Sequence, residues 1–475
     1  MGQEVTSSHF QKRDFDAFTE HLRTETELLR VWFEQERFDP GYRVGGFEVE
    51  AWLIDPAFAP APVNASYLER LNDPMVVPEL SQFNVEINTA PQTMQGDALQ
   101  VMYRDLSRVW QRCCRVAQEL GIDLAMIGIL PTVREPQLTL ENISRLIRYR
   151  ALNEQILRLR QGSPLRLDIH GFEHLETSHH DVMLEAAATS FQLHLQIPQA
   201  ESVRVFNAAT ILSAPMVALA ANSPYLFGKD LWDETRIPLF EQAIAVDAPG
   251  SDTPNRVFFG NAYIDASLFQ LFADNCELFP VLLPMSQEQP DPERMEHLRL
   301  HNGTIWRWNR PLIGFSANGT PHLRLEHRVM AAGPSVIDTI ANAAMFYGLV
   351  HAMVATPEAP ELRLSFEQAR LNFYAAAKHG LRAKVRWFGG EEVLLHTLLV
   401  EQLIPMARQG LLEQDLDKTD VEQFIDIIEG RVRTWCNGAA WQRMFVEKHR
   451  ADMLMLTEAY VQQQNSGKPV HEWEV

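Results

Sequence analysis

Four short segments, far apart in the chain, alternate apolar and polar residues with a period of two. They are Phe47-Glu48-Val49-Glu50, Val85-Glu86-Ile87-Asn88, Gln192-Leu193-His194-Leu195-Gln196 and Leu323-Arg324-Leu325-Glu326-His327-Arg328. In an extended strand residues i and i+2 share a face, so each segment puts its polar groups on one side and its apolar groups on the other. Side by side, the polar faces merge into a floor of carboxylates, imidazole, amides and guanidinium groups. For one segment alone, a solvated strand face explains the alternation better. Acids occur in three of the four, however, and arginines flank the acid in the last, which favours a shared floor. Carboxylates crowded there repel one another and are costly to bury unpaired, so such a floor calls for bound cations.

The same patterning lays out the remaining elements. It predicts an amphipathic helix over 13–37, ended by Asp39-Pro40-Gly41, strands at about 44–54 and 82–90, and a helix over 97–121. A short apolar strand (122–131), an Arg- and Leu-rich helix (140–161), a strand (189–197) and a helix (232–245) follow. The apolar run from Val205 to Ala221 is interrupted by Asn207, Thr210, Ser213 and Pro215, and reads as a buried helix rather than a membrane span. A strand over Pro321–Arg328 and a helix over 334–355 come next, then helices at 363–381, 390–409, 418–435 and 437–463. Residues 164–182 carry His170, His174, His179 and His180 among several acids. No period gathers those side chains, so the region reads as a solvated loop rather than a metal cluster. Strands interspersed with helices, then a helical tail, give an α+β class with a mostly antiparallel sheet.

Composition narrows the chemistry. A chain of 475 residues with 46% hydrophobic content has ample material for a large core. Its formal charge of −20 argues against general nucleic-acid binding. That charge is compatible with ATP, because divalent metals bridge clustered carboxylates to phosphates. The four cysteines, Cys113, Cys114, Cys276 and Cys436, have no metal-binding spacing, and reduced thiols in the cytoplasm are the expectation. The N-terminal residues lack the apolar centre of a secretory signal. Neither a glycine-rich phosphate loop nor a G-x-S-x-G elbow occurs, so a bound nucleotide must be held by metals and arginines.

Glu48, Glu50, Glu79, Glu86 and Glu326 supply five carboxylates, with an amide oxygen from Gln192 and an imidazole from His194 beside them. This oxygen-rich set suits magnesium rather than zinc. Glu79 lies seven residues before Glu86, so a regular strand would place the two on opposite faces. A bend near Pro78 and Ser81-Gln82 is required if both are to reach one site. Arg324 and Arg328 suit phosphate or carboxylate recognition, and Arg310, between tryptophans and a proline, is a further anion-binding candidate. Trp306 and Trp308 read by default as core.

These motifs together resemble the glutamate–cysteine ligase family of the glutamine synthetase-like carboxylate–amine ligases. The residues that carry the resemblance are Gly46-Phe-Glu48-Val-Glu50, Glu79 with Glu86-Ile-Asn-Thr89-Ala-Pro91, Ala221-Asn-Ser-Pro-Tyr-Leu-Phe-Gly228 followed by Arg236, and Arg324-x-Glu326-x-Arg328. Gln192 stands where bacterial members often have histidine, which leaves its metal contact open, and Thr235 replaces the usual serine before Arg236. The resemblance is strongest over 44–345 and implies a glutamine synthetase-like catalytic domain over 1–355. A helical region over 356–475 would follow, either separate or part of the same domain. It further implies a saddle-shaped antiparallel sheet carrying ATP and two or three Mg2+ ions, with Mn2+ as the alternative. The metal ligands would be Glu48, Glu50, Glu79, Glu86, Gln192 and Glu326. Arg324 and Arg328 would stabilise the transferring phosphoryl group. Arg236, Arg310 and Arg324 would anchor nucleotide phosphate or substrate carboxylate, and His194 would bind substrate or move a proton. The implied reaction activates a glutamate γ-carboxylate as an acyl phosphate and joins it to cysteine, a step in glutathione biosynthesis. Ligation to a different amine, a non-catalytic relative and a metal-dependent phosphohydrolase are the alternatives. Expected partners are small molecules, with neither nucleic acid nor membrane; self-association is left open.

Overall fold

The computed structural model describes residues 8–41, 43–246, 253–284 and 290–475. At its centre the strand Val44–Ile54 (β1) is flanked by strands drawn from much of the chain: Val76–Pro78 (β2), Asn84–Asn88 (β3), Gln92–Thr93 (β4), Asp123–Ala125 (β5), Ser190–Ile197 (β6), Asn309–Phe315 (β7) and Pro321–Ala331 (β8). They form one antiparallel sheet in the order β7-β8-β6-β1-β3-β2, with β4 and β5 also paired to β1. The class is therefore α+β with an antiparallel sheet flanked by helices, as expected.

Register decides what the sheet presents. Glu50 lies opposite Glu86, and Glu48 lies opposite both Asn88 and Gln192. His194 faces Glu326, which in turn faces Arg310. Because side chains alternate across a strand, Phe47, Val49, Val85, Ile87, Leu193, Leu195, Leu323 and Leu325 all fall on the other face, buried in one continuous core. The helices Ser202–Ala220 and Val336–Ala355 belong to that core. Both are apolar and long enough to cross a membrane, and both are mostly buried inside the fold. Gly45 permits a close approach in this layer, since a Cβ there would meet Met94 at 2.7 Å and the Tyr347 ring at 3.0 Å. Tyr347, on the second helix, reaches the carbonyls of Gly46 and His194 with its hydroxyl.

The C-terminal helices share this core, through Leu403, Leu411, Phe424 and Ile428 among others. A buried polar network ties them down. Arg431, on the helix Lys418–Arg433, donates to Asp338 at 2.8 Å, Asn342 at 2.6 Å and the Leu219 carbonyl at 3.0 Å. Asp338 also accepts from the Val470 amide and the Ser335 hydroxyl, so every charged oxygen has a donor.

The structure corrects several expectations. Residues 164–182 are not a loop: Leu165–His170 and His174–His179 form an antiparallel hairpin. Leu165, Leu167 and Ile169 alternate inward, a period-two pattern masked by the histidines around it. The 140–161 helix begins only at Ile147, after a short 3-10 turn, and the 122–131 strand spans three residues. The 390–409 segment opens as a strand, Glu392–Leu394, paired to Lys384–Arg386, before turning helical. The 437–463 helix is two, Gly438–His449 and Met453–Asn465, divided at Arg450, whose φ is 50°. Asp452 restarts the chain by accepting from the Met455 amide, a capping bond that competes with helix continuation.

Arg431→Ala would leave Asp338 buried beside a lost cation. A destabilisation of about 3–5 kcal/mol in urea unfolding is expected, the range for breaking a buried ion pair. A change below about 1 kcal/mol would remove this network from the account of how the C-terminal helices are held.

Candidate active site

One cavity opens over the polar face of the sheet, and its lining includes all of Glu48, Glu50, Glu79, Glu86, Gln192, His194, Arg236, Arg310, Arg324, Glu326 and Arg328. Glu79 arrives there by hairpin geometry. Val77 on β2 is opposite Glu86 on β3, so Glu79, two residues further on, shares Glu86's face before the chain turns back. The bend required by the sequence is this reversal.

The groups fall into two clusters. Glu50, Glu79 and Glu86 bring one carboxylate oxygen each within 4.8 Å of one another, and Glu48, His194 and Glu326 converge in the same way. Glu50 is fixed by the Ser190 amide at 2.7 Å, the Ser190 hydroxyl at 2.8 Å and the Gln192 amide nitrogen at 3.0 Å. Glu86 accepts from Asn88 at 2.8 Å. His194 Nε2 lies 3.3 Å from Glu48 and 4.0 Å from Glu326.

Opposite the first cluster the site turns cationic. Arg310 grips Glu326 with two bonds of 2.7 and 3.0 Å, and Arg328 adds a third at 3.0 Å. Both oxygens of Glu326 are thus engaged by guanidinium groups. Gln192, expected as a metal ligand, turns its amide oxygen to Arg328 and its nitrogen to Glu50, bridging the two halves. Arg324 has its Nε buried without a hydrogen-bond partner, and Arg299 stands nearby in the lining.

A bulge in β8 aims Arg328. His327 pairs with Leu193 and Met330 with Phe191, so two residues, Arg328 and Val329, face the single residue Gln192. Arg236 holds the bulge by donating to the carbonyls of Arg328 and Val329 at 3.2 and 3.3 Å. The Ala221–Gly228 motif explains its position. The Ser223 hydroxyl donates to Glu234 at 2.5 Å and accepts from the Arg236 amide at 3.2 Å. Glu234 in turn lies 3.5 Å from the Arg236 guanidinium. Arg236, expected as a ligand anchor, lines the cavity and supports the backbone beneath Arg328.

Electrostatics separates the clusters. Burial, reinforced by Glu86, pushes Glu50 up to about 7, and burial with Glu50 does the same to Glu79. Burial, then Glu48 and Glu79, raise Glu86 well above the usual carboxylate range. Burial also raises Glu326, but Arg310 and Arg328 outweigh it and hold the group at about 2. For Glu48 burial is likewise outweighed, chiefly by the His194 imidazole, and the group lies well below its ordinary value.

Sequence reasoning missed Glu185. It lies on a 3-10 turn between buried Leu184 and Ala186, lines the same cavity, and is raised to about 8 by burial and by Glu50. Its Oε2 is buried without a hydrogen-bond partner. The available signal was a lone acid in the apolar run Val182-Met-Leu-Glu185-Ala-Ala-Ala188. Four carboxylates in one wall, three with convergent oxygens and all destabilised as anions, fit a hard divalent cation with oxygen ligands.

The sheet floor thus sets an anionic wall, with the donor set of a divalent-cation site, against a cationic wall of arginines. Residues 44–468 match the profile described as glutamate–cysteine ligase family 2, and the chain belongs to that family. The fold is similar to the glutamate–cysteine ligase of Francisella tularensis, solved in complex with AMP, at a TM-score of 0.57 and 12% identity over 90% of each chain. It is also similar to the bifunctional glutathione synthetase of Pasteurella multocida, at a TM-score of 0.50 and 10% identity, over 92% of this chain and 53% of that one. At such identities the likeness is one of fold. No curated protein sequence matches the chain.

The raised carboxylates set a pH dependence. A folded-state value above the unfolded one adds stability below the unfolded value, and that contribution is lost as pH rises through the folded value. Glu50, Glu79 and Glu185, at about 7, 7 and 8, place the loss between about pH 4.5 and 8. Without divalent metal, Tm should fall across that window, and Mg2+ should raise Tm more at its alkaline end than at its acid end. Thermal scans with and without Mg2+ check this; an equal Mg2+ effect at both ends would detach the metal from these carboxylates.

Proposed function

We propose that the protein is an ATP-dependent carboxylate–amine ligase that joins the γ-carboxylate of glutamate to the amine of cysteine. The observation that carries this reading is the pairing, in one cavity, of the Glu50–Glu79–Glu86 wall with the Arg310–Glu326–Arg328 wall. Family membership supplies the choice of glutamate and cysteine. The AMP held by the Francisella tularensis ligase supports a nucleotide here.

In this reading Glu50, Glu79, Glu86 and Glu185 hold the divalent ions, with Glu48 and His194 offering the second group of ligand atoms. Bound magnesium would neutralise phosphate charge and polarise the γ-phosphoryl group. Arg324 and Arg328 stabilise the charge that gathers on that group as a carboxylate oxygen attacks phosphorus and ADP leaves. Glu326 keeps Arg310 and Arg328 in place, and those two guanidinium groups in turn hold it in its ionised form. The amine nitrogen then attacks the acyl carbon, phosphate departs, and the nitrogen gives up a proton. His194, whose Nε2 lies 3.3 Å from Glu48 in the wall of the same cavity, is the imidazole placed to accept it. Residence in the cytoplasm, with all four cysteines unpaired, completes the proposal.

Phosphate release from Mg2+ and ATP should require both L-glutamate and L-cysteine, and mass spectrometry should find their dipeptide. Release with another amine would keep the chemistry and change the acceptor. Release with neither amino acid would favour a phosphohydrolase. Glu50→Gln and Glu326→Gln should each lower turnover by about 10²-fold or more, the scale for losing one preorganised electrostatic group, with circular dichroism unchanged. Wild-type turnover in either variant would overturn the site assignment.

A further inference from the structure

Outside the cavity, the hairpin Leu165–His170/His174–His179 assembles a second constellation. His170 and His174 are cross-strand partners, and Asp168 lies two residues before His170 on the same outward face. The two imidazoles stack with centroids 4.0 Å apart and an interplanar angle of 6°. Both direct Nε2 at one oxygen, Asp168 Oδ1, at 3.3 Å from His170 and 2.9 Å from His174. One ligand atom from each of the three residues lies within 4.8 Å of the other two. A tetrahedral ion with bonds of about 2.1 Å has ligand atoms about 3.4 Å apart, so small side-chain rotations suffice to close round it.

The backbone beneath is fixed. Leu165, Leu167 and Ile169 are buried, the Asp168 amide donates to Gln242 at 2.7 Å, and Trp232 Nε1 donates to the His170 carbonyl at 2.9 Å. The neighbouring cation leaves the convergent oxygen clear. Arg166 is 2.5 Å from Glu176 and reaches only the other oxygen of Asp168, at 3.9 Å. Such preorganisation lowers the ordering cost of binding.

We propose that Asp168, His170 and His174 form a surface site for a borderline divalent transition ion such as Zn2+, separate from the carboxylate floor. Two imidazoles and one carboxylate match the preference of zinc and its neighbours, whereas the all-oxygen floor suits magnesium. On binding, each ring carries its one remaining proton on Nδ1 and gives its Nε2 lone pair to the ion, any proton displaced from Nε2 passing to water, while Asp168 exchanges its two imidazole contacts for one metal bond. Water takes the open positions. The ion would clip together the two strands of a hairpin that packs beside the helix Arg236–Ala243.

The test is equilibrium dialysis of untagged full-length protein against Zn2+, with Mg2+ in large excess over the floor. The wild type should bind one more Zn2+ than the His170→Ala/His174→Ala variant, and Asp168→Asn should weaken that ion tenfold or more. With Co2+ as probe, a visible ligand-field band should appear in the wild type and vanish in the double variant. These side chains are exposed, so the variants should keep the wild-type circular dichroism and ATP turnover. Equal Zn2+ stoichiometry in wild type and double variant, or an unchanged Co2+ band, would overturn the site whether or not the protein proves to be a ligase.

Discussion

Mutual repulsion among buried carboxylates is the constraint around which this molecule is arranged. At 4.8 Å and an effective dielectric constant of about 20, each ionised pair costs about 3–4 kcal/mol, comparable to a sizeable fraction of a domain's net stability. The sheet sets Glu50 and Glu86 opposite each other, and the β2–β3 hairpin adds Glu79. Nothing in the register relieves them. The apolar face of the same strands is committed to the core, so a one-residue slip that separated the acids would also turn Phe47, Val49 and Ala51 out of it. Core packing thereby holds the acids in a geometry they would not choose, and under the proposed reading a bound cation would relieve that repulsion.

The opposite wall solves the complementary problem. Three guanidinium groups, those of Arg310, Arg324 and Arg328, surround a single carboxylate, Glu326, whose two oxygens are shared between the first and the last. Glu326 therefore locks two arginines in place and leaves a net positive wall whose remaining donors include the buried Nε of Arg324. The β8 bulge is what allows Arg328 to reach Gln192 as well as Glu326, and Arg236 keeps the bulge open from below. The two walls are joined by Gln192, which has a donor for one and an acceptor for the other.

How much of this could be read in advance follows from the kind of signal involved. Period-two alternation is local, so the strands at Glu48–Glu50, Glu86, His194 and Glu326, and the faces they show, were legible. The partners of each strand were not, because pairing across more than a hundred residues leaves no local trace. The roles of Gln192 and Arg236 depended on that pairing. The bulge is a mismatch between two strands and is invisible in either alone. Glu185 escaped because a lone acid in an apolar run has no period. The 165–179 hairpin escaped because its histidines drew attention from the alternation of Leu165, Leu167 and Ile169 beneath them, and because its second strand turns Leu175, Thr177 and His179 inward, with one apolar residue among the three.

The division of labour between the walls has a consequence for selectivity. The anionic wall is made of groups whose values lie near or above neutrality, so its charge varies over the physiological range. The cationic wall does not vary: guanidinium stays charged, and Glu326 is held near 2. An anion carrying its own divalent metal satisfies both walls at once, while a bare anion meets the carboxylates unscreened and a bare cation leaves the arginines unpartnered. Under the proposed ligase reading the floor would therefore favour the metal–anion pair over either component, a preference set by charge placement before any contact specific to a substrate is considered.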